Sequence, residues 1–169
     1  ESRDLGVAGI AAMPAESGEA WRNLVLEPVD VRVAFSLNDA RRASGISTEG
    51  AEFQGVLAGV GALGSSMGEL WSREGWGNWS YIDDDILYAH NIVRHAGKDP
   101  HIGWAKVDVA LNMAELNWPT EAKPKAIAAK ANDFGNAEVN DAISAASLLV
   151  DATTTLEVPR DLSDRDGTP

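Results

Sequence analysis

The 169-residue sequence contains no cysteine. This absence excludes disulfide bonds, thiolate nucleophiles, Cys-ligated zinc and iron–sulfur clusters. A chain of this length buries roughly 70% of its unfolded surface, so a hydrophobic core is sufficient without cross-links. We therefore predict a single domain over residues 1–151, with a loose N-terminal arm at 1–27 and a polar C-terminal tail at 152–169.

Basic residues are scarce. The sequence has 14 Lys and Arg against 26 Asp and Glu, which gives a formal net charge of −12. A strongly negative surface repels the phosphate backbone of DNA and RNA and also anionic lipid headgroups. The composition therefore predicts no nucleic-acid partner.

The sequence also lacks an apolar run of the roughly 20 residues that a membrane-spanning helix needs. The nearest approach is at residues 55–68, between Gln54 and Glu69. We predict no direct membrane insertion. The chain begins at Glu1 rather than Met, and together with the absence of cysteine this favours a processed, extracytoplasmic protein.

A glycine-rich segment at residues 48–71 is the most informative feature of what is present. Its large apolar residues fall at helical spacings of three and four, and its glycines form two GxxxG pairs. The apolar residues are Phe53, Leu57, Val60, Met67 and Trp71, and the paired glycines are Gly55, Gly59, Gly64 and Gly68. This pattern predicts one long helix.

Glycine inside a helix costs about 1 kcal/mol relative to alanine, so a compensating contact is expected. We predict that Gly59 and Gly64 are buried against a second helix or a ligand. These two glycines are the first candidates for a binding surface.

Four further helices are predicted downstream, at residues 82–97, 100–118, 120–134 and 136–150. Asp83, Asp84 and Asp85 would occupy the first turn of the earliest of these, where carboxylates complement the helix dipole. Pro119 would end the helix at 100–118, and Asn136 would cap the last one. Residues 152–169 are polar and are predicted to be a tail.

Residues 29–35 are ambiguous. Val29, Val31, Val33 and Phe35 alternate with other residues as in a strand with one buried face. The same region also carries an apolar stripe at helical spacing. A short extended piece or a helix fits equally, and the sequence leaves both open.

Large aromatic residues gather in a Gly-, Asn- and Ser-containing segment after the glycine-rich helix. Trp76, Trp79 and Tyr81 lie there, and Trp71 lies just before them. Aromatic rings on a surface turn supply stacking area for a ligand or a protein partner, whereas the same rings folded inward cover a helix pair. We predict that these four residues form a recognition surface.

The three histidines are weak candidates for metal or haem ligation. His90 and His95 are five residues apart, which places them on different helix faces, and His101 lies beyond a turn. No HExxH pattern accompanies them. Capping or surface histidines are the simpler interpretation, and no metal site is predicted.

These observations predict an all-α fold, an irregular bundle of about five or six helices around the glycine-rich helix. The predicted function is a non-catalytic helical binding or assembly module, one subunit of a larger complex or a self-associating protein. The alternative is a helical carrier of haem, a metal or another planar cofactor that uses segment 90–101. The sequence favours a non-enzyme without deciding the matter.

Overall fold

The computed structural model describes residue 25, residues 35–119 and residues 123–165. Within these ranges, the helices and strands follow one another in an order typical of α/β proteins. They are α1 (Leu37–Ala43), α2 (Thr48–Ala51), β1 (Gln54–Ala58), α3 (Ala62–Glu74), β2 (Asn78–Ile82), α4 (Lys106–Asn117), β3 (Lys125–Ile127), α5 (Ala137–Ala145), β4 (Leu148–Asp151) and α6 (Glu157–Ser163). Two short 3₁₀ turns, Ala89–Asn91 and Asp99–His101, lie between β2 and α4.

The four described strands form one sheet in the order β3-β2-β1-β4, and every pairing is parallel. In the central register, Leu57 of β1 lies between Tyr81 of β2 and Val150 of β4. The predicted all-α fold is therefore wrong. The protein is an α/β protein of Rossmann-like architecture.

Helices cover both faces of the sheet. Leu57 and Tyr81 point to one face, where they pack with Val107 and Ala110 of α4. On the opposite face, Val56 and Ile82 pack with residues of α5 and α6, among them Val139, Ile143, Val158 and Leu162. Two separate cores of this kind require strands that are buried on both sides.

The glycine-rich segment is not one helix. It divides into α2, β1 and the first ten residues of α3, and a turn at Gly59 and Gly61 separates the strand from the helix. Residues 55–58 of β1 are all buried. A central parallel strand of this kind has no polar alternation, so its apolar residues can coincide with a helical spacing.

Two other predicted elements also differ. The segment predicted as an aromatic loop contains β2, in which Trp79 and Tyr81 are buried. The predicted helix at 136–150 ends at Ala145, and its last residues form β4. Its start is correct, because the Asn136 side chain accepts hydrogen bonds from the backbone N–H groups of Glu138 and Val139.

The predicted helix at residues 82–97 is an irregular crossover segment with a 3₁₀ turn. Asp83, Asp84 and Asp85 therefore follow a strand and do not open a helix. The helix predicted at 100–118 is present in a shorter form as α4, and α6 occupies part of the predicted polar tail.

Some predictions fall outside the described residues. These are the arm at 1–27 apart from Val25, and residues 26–34, which contain nearly all of the ambiguous segment 29–35. The predicted helix at 120–134 falls there only for residues 120–122, and its described remainder contains β3. None of the described helices is long and apolar enough to cross a membrane.

Alanine substitutions at two glycines test the packing of α3 against β1. A Cβ at Gly64 would lie 1.9 Å from the carbonyl oxygen of Gly59, whereas a Cβ at Gly61 would meet no atom within 4 Å. We expect Gly64→Ala to lower the free energy of unfolding by about 2 kcal/mol or more through overpacking. Gly61→Ala should lower it by less than about 1 kcal/mol, because only a helix N-cap residue changes. Urea denaturation followed by circular dichroism measures both, and equal stabilities would contradict this packing.

Candidate functional site

The main cavity of the described structure opens at the carboxyl ends of the four strands and has a volume of about 790 Å³. Each strand contributes to its wall through the residues that follow it, including Gly59 after β1, Asp83 after β2, Ala129 after β3 and Thr153 after β4. From β1, the chain adds β2 and then β3 on one side, and it adds β4 on the other side of β1. The strand order therefore reverses between β1 and β4. Open α/β sheets bind ligands at such a switch point.

Three glycines shape the connection from β1 to α3. Gly59 turns the chain with φ +86°, and a Cβ there would lie 2.7 Å from the backbone nitrogen of Thr153. Gly64 allows α3 to pack directly on the end of β1, and Gly61 lines the cavity without touching any neighbour that would exclude a side chain. The spacing is G-x-G-x-x-G. In nucleotide-binding folds these three positions serve the tight turn, the approach of phosphate and the helix–strand packing.

The N-terminus of α3 faces this connection. α3 has 13 residues, and its N-cap, Gly61, offers no side chain to cap it. The first backbone N–H groups of a helix have no intrahelical partner and carry the positive end of the helix dipole. This end of α3 is therefore suited to an anion such as phosphate.

Asp83, which follows β2, hydrogen-bonds to the segment from Gly59 to Gly64, which we call the glycine connection. Its Oδ2 accepts a hydrogen bond of 2.7 Å from the backbone N–H of Val60, and its Oδ1 accepts one of 2.9 Å from the N–H of Asp85. Asp83 follows the glycine motif by about 20 residues, the position from which an acidic side chain reaches a nucleotide ribose. Its carboxylate retains acceptor capacity beyond these two bonds.

His95 contacts the carbonyl oxygen of the same residue, Val60. Its Nε2 is 2.9 Å from the carbonyl oxygen of Val60, and its Nδ1 accepts a hydrogen bond of 2.9 Å from the backbone N–H of Gly97. The residue is buried. Burial lowers the pKa of the His95 imidazole below its usual value of 6.5.

Basic and acidic side chains both line the cavity. The basic ones are Arg94, Lys106 and Lys130, and the acidic ones are Asp83, Asp84, Asp85 and Glu157. Lys106 is buried and pairs with Asp85 at 2.5 Å. Arg94 is exposed to the cavity and forms no ion pair with any described residue. The Arg94 side chain and the N-terminus of α3 line the same cavity, and both kinds of group bind phosphate or carboxylate.

The predicted binding residues separate into two groups in the structure. Gly59 lines the cavity, and Gly64 lies directly beneath it in the contact between α3 and β1. Trp79 is buried in the core between α3 and the sheet, and Trp71 and Trp76 are partly buried against that core. The rings of Trp71 and Trp79 stack with their centroids 4.5 Å apart.

Tyr81 and Trp79 are only 1% and 3% exposed, and burial raises the pKa of the Tyr81 phenol. The indole N–H of Trp79 donates to the carbonyl oxygen of Trp76 at 2.7 Å. These rings contact one another and the core. The structure therefore does not bring them together with the glycine connection.

The three histidines have different surroundings. His95 is buried behind the glycine connection, His90 lines the cavity and stacks on Tyr88, and the His101 ring hydrogen-bonds to the backbone N–H of Lys98 and to Asn112. Among the described residues, no group of three or more potential metal ligands lies together. The weak candidates His90, His95 and His101 therefore do not converge on one point.

Sequence reasoning missed several residues of the cavity. The sequence contains the G-x-G-x-x-G spacing at Gly59, Gly61 and Gly64, but no such turn was predicted, because residues 48–71 were interpreted as one helix. A strand before it and Asp83 after it complete the motif, and a search for all three parts would have found it. Arg94 and Lys106 carried no such local signal.

Comparison with known proteins identifies the fold. No protein-family model and no curated protein matches the chain. Solved structures do match. The tRNA N6-threonylcarbamoyladenosine dehydratase TcdA of E. coli has 21% sequence identity and a TM-score of 0.65, and the match covers 75% of this chain and 53% of TcdA.

Two further structures agree with this result. One described as TcdA (CsdL) has 20% identity and a TM-score of 0.63, over 78% of this chain and 56% of the other. A structure of PaaA has 16% identity and a TM-score of 0.55, over 66% and 32%. The chain thus spans about half the length of the TcdA structures. At these identities the likeness establishes the fold.

The predicted function is wrong, because it depended on an all-α fold. A non-catalytic helical module, or a helical carrier of haem or a metal, requires a helical bundle, and the fold is α/β with a parallel sheet.

The pairing of Lys106 with Asp85 gives a testable titration. The hydrogen bond from Lys106 is the main reason that the pKa of the Asp85 carboxyl lies below its usual value of 3.8. We expect Lys106→Met to raise that pKa, measured by NMR of the side-chain carboxyl, and Lys130→Met to leave it unchanged. Because a lowered carboxyl pKa stabilises the fold above pH 3.8 and less as pH falls through the folded-state pKa, the pair's contribution to stability should vanish in acid. An Asp85 pKa that ignores Lys106→Met would contradict the pairing.

Proposed function

We propose that this chain is the nucleotide-binding domain of an enzyme and that it binds a nucleoside triphosphate in the cavity at the carboxyl ends of the strands. The observation that carries this proposal is the glycine connection. Gly59 and Gly64 are held tightly by the protein itself, whereas Gly61 faces the cavity with room to spare. That division of roles is what a backbone that contacts phosphate requires.

The residues around the cavity fit such a ligand. The N-terminus of α3 and the Arg94 guanidinium would contact the phosphates, and Lys106 would add positive charge close by. Asp83 and Asp84 follow β2 and would accept hydrogen bonds from the ribose hydroxyls. The deeper wall at Ala129 and Ala131 is apolar and suits a flat base.

A dinucleotide such as NAD is the second candidate, because the glycine spacing and the acidic residue after β2 belong to that fingerprint as well. A triphosphate is placed first because the exposed side chain of Arg94 lines the cavity together with Lys130 and the N-terminus of α3, in a wall that also contains Asp83, Asp84, Asp85 and Glu157.

The reaction that we propose is transfer of the nucleotidyl group, in which an acceptor oxygen attacks the α-phosphorus and pyrophosphate leaves. Arg94 and Lys106 would stabilise the negative charge that develops on the phosphates. We do not extend the tRNA in the name of TcdA to this chain, since a net charge of −12 disfavours an RNA partner.

We also propose that the chain associates with a protein partner or with a second copy of itself. The stretch between β2 and α4 supports this proposal, because its residues Tyr88, Val93 and Trp104 are 51%, 87% and 45% exposed. Large apolar side chains of this kind are typical of association surfaces when they are contiguous.

Binding measurements test the nucleotide site. We expect isothermal titration calorimetry to detect ATP, and Arg94→Ala to weaken ATP binding by about tenfold or more, since hydrogen bonds to charged groups contribute about 1.5–3 kcal/mol. Gly61→Ala should weaken it as well, because its new Cβ projects into the cavity. Arg73→Ala and Gly50→Ala are matched controls, since neither residue lines the cavity.

Two outcomes would contradict the triphosphate site. If NAD binds and ATP does not, the domain binds a dinucleotide. If the wild-type protein binds neither nucleotide, or if Arg94→Ala and Gly61→Ala bind as tightly as their controls, the cavity is not a nucleotide site.

A further inference from the structure

The backbone of Val60 is held through both of its polar groups. Its N–H donates to the Asp83 carboxylate at 2.7 Å, and its carbonyl oxygen lies 2.9 Å from Nε2 of His95. Val60 stands between Gly59 and Gly61, so these two hydrogen bonds set the direction of the backbone that enters α3. Glycines by themselves leave such a segment conformationally free.

The hydrogen-bond partners of His95 define its protonation state. The backbone N–H of Gly97 can only donate, so Nδ1 of His95 accepts and carries no proton. The proton is then on Nε2, which donates to the carbonyl of Val60. This arrangement requires the neutral imidazole in one tautomer.

The surroundings of His95 leave it little freedom to move. A Cβ at Gly97 would lie 2.9 Å from Nδ1 of His95 and equally close to Leu87 and Val109. The adjacent N–H of Ala96 donates to the hydroxyl of Ser65 in α3 at 3.1 Å. The His95 segment is thus fastened to α3 and to the core at once.

We propose that His95 is a positioning residue of the glycine connection and that ligand binding requires its neutral form. By holding the Val60 carbonyl, His95 directs the Gly61 backbone and the first N–H groups of α3 toward the cavity. The inference rests on the proposed nucleotide site. It adds His95, which lines the same cavity and acts by orienting the loop.

Protonation would break this arrangement. A second N–H at Nδ1 would face the Gly97 N–H, so the hydrogen bond from Gly97 that orients the His95 ring would be lost, and the contact of Nε2 with the Val60 carbonyl would be displaced with it. The charged and titratable groups around the ring come from three elements, namely Asp83 after β2, Lys106 in α4 and His101 in the 3₁₀ turn. Burial is the largest influence and lowers the pKa of His95, so the neutral form is retained until the pH falls below 6.5.

The test compares His95→Ala with His95→Gln, using ATP and adenosine as probes. A glutamine amide supplies one donor and one acceptor, as the neutral imidazole does, whereas alanine supplies neither. We expect His95→Ala to weaken ATP binding by about tenfold or more and adenosine binding by less than about twofold, because adenosine has no phosphate. His95→Gln should bind ATP within about threefold of the wild type. His101→Gln, the same substitution outside the cavity, is the control.

A pH series separates positioning from a general structural role. Between about pH 5 and about pH 8, wild-type affinity for ATP should fall on the acid side relative to His95→Gln, because only the wild type has a His95 that titrates. Parallel profiles for the two proteins would overturn the proposal. So would equal losses for ATP and adenosine, or a His95→Gln variant as weak as His95→Ala.

Amide NMR tests this inference independently of the proposed function. In the ligand-free wild type, the Val60 and Gly61 amide signals should shift with the titration of His95, and in His95→Gln they should not. If the wild type does not bind ATP, the proposed function fails and the NMR titration alone decides whether His95 holds the loop. Amide signals that do not follow His95 would overturn the inference whether or not ATP binds.

Discussion

Helix α3 begins so close to the end of strand β1 that a Cβ at Gly64 would meet the carbonyl oxygen of Gly59 at 1.9 Å. Much of the remaining structure depends on this contact. It brings the N-terminus of α3 to the crevice between β1 and β4 and leaves the Val60 peptide within reach of Asp83 and His95. A larger residue at either glycine would move the helix away, and the crevice would lose its polar wall.

The same packing determines where the charged side chains of the cavity lie. The chain has a net charge of −12, which governs its long-range repulsion of polyanions. Within the cavity, Arg94, Lys106 and Lys130 stand among Asp83, Asp84, Asp85 and Glu157, and Lys106 is paired with Asp85. A low-dielectric cleft concentrates the field of the charges that line it. Net charge therefore describes the surface as a whole, whereas the cavity can still accept a phosphate-bearing ligand.

The helical stripe in the glycine-rich segment located a real core but assigned it to the wrong element. Phe53, Leu57, Met67 and Trp71 do belong to one apolar cluster. Two of them lie in or next to a strand and two lie in the helix that folds back over it. A strand and a helix that pack together place their side chains in the same core, so a pattern of shared burial does not by itself distinguish them from one long helix.

The failure at β2 and β4 has a related cause. Trp79 and Tyr81 follow glycine and asparagine, residues that favour turns in a local reading, and Val150 continues the stripe of a helix that ends at Ala145. Their extended conformation is stabilised by parallel pairing with β1, which is distant in sequence. The local spacing of residues in β2 and β4 gives no indication that these segments pair with β1.

The sequence by itself determined what depends on residue identity and near neighbours. It excluded cysteine chemistry and a membrane-spanning helix in the described residues, it placed the Asn136 cap, and it contained the G-x-G-x-x-G spacing. The tertiary structure alone decided that this spacing follows a strand and that Arg94 and Lys106 share a cavity with Asp83. The reason is physical, because the distances between the ends of parallel strands are set by hydrogen bonds between segments far apart in the chain.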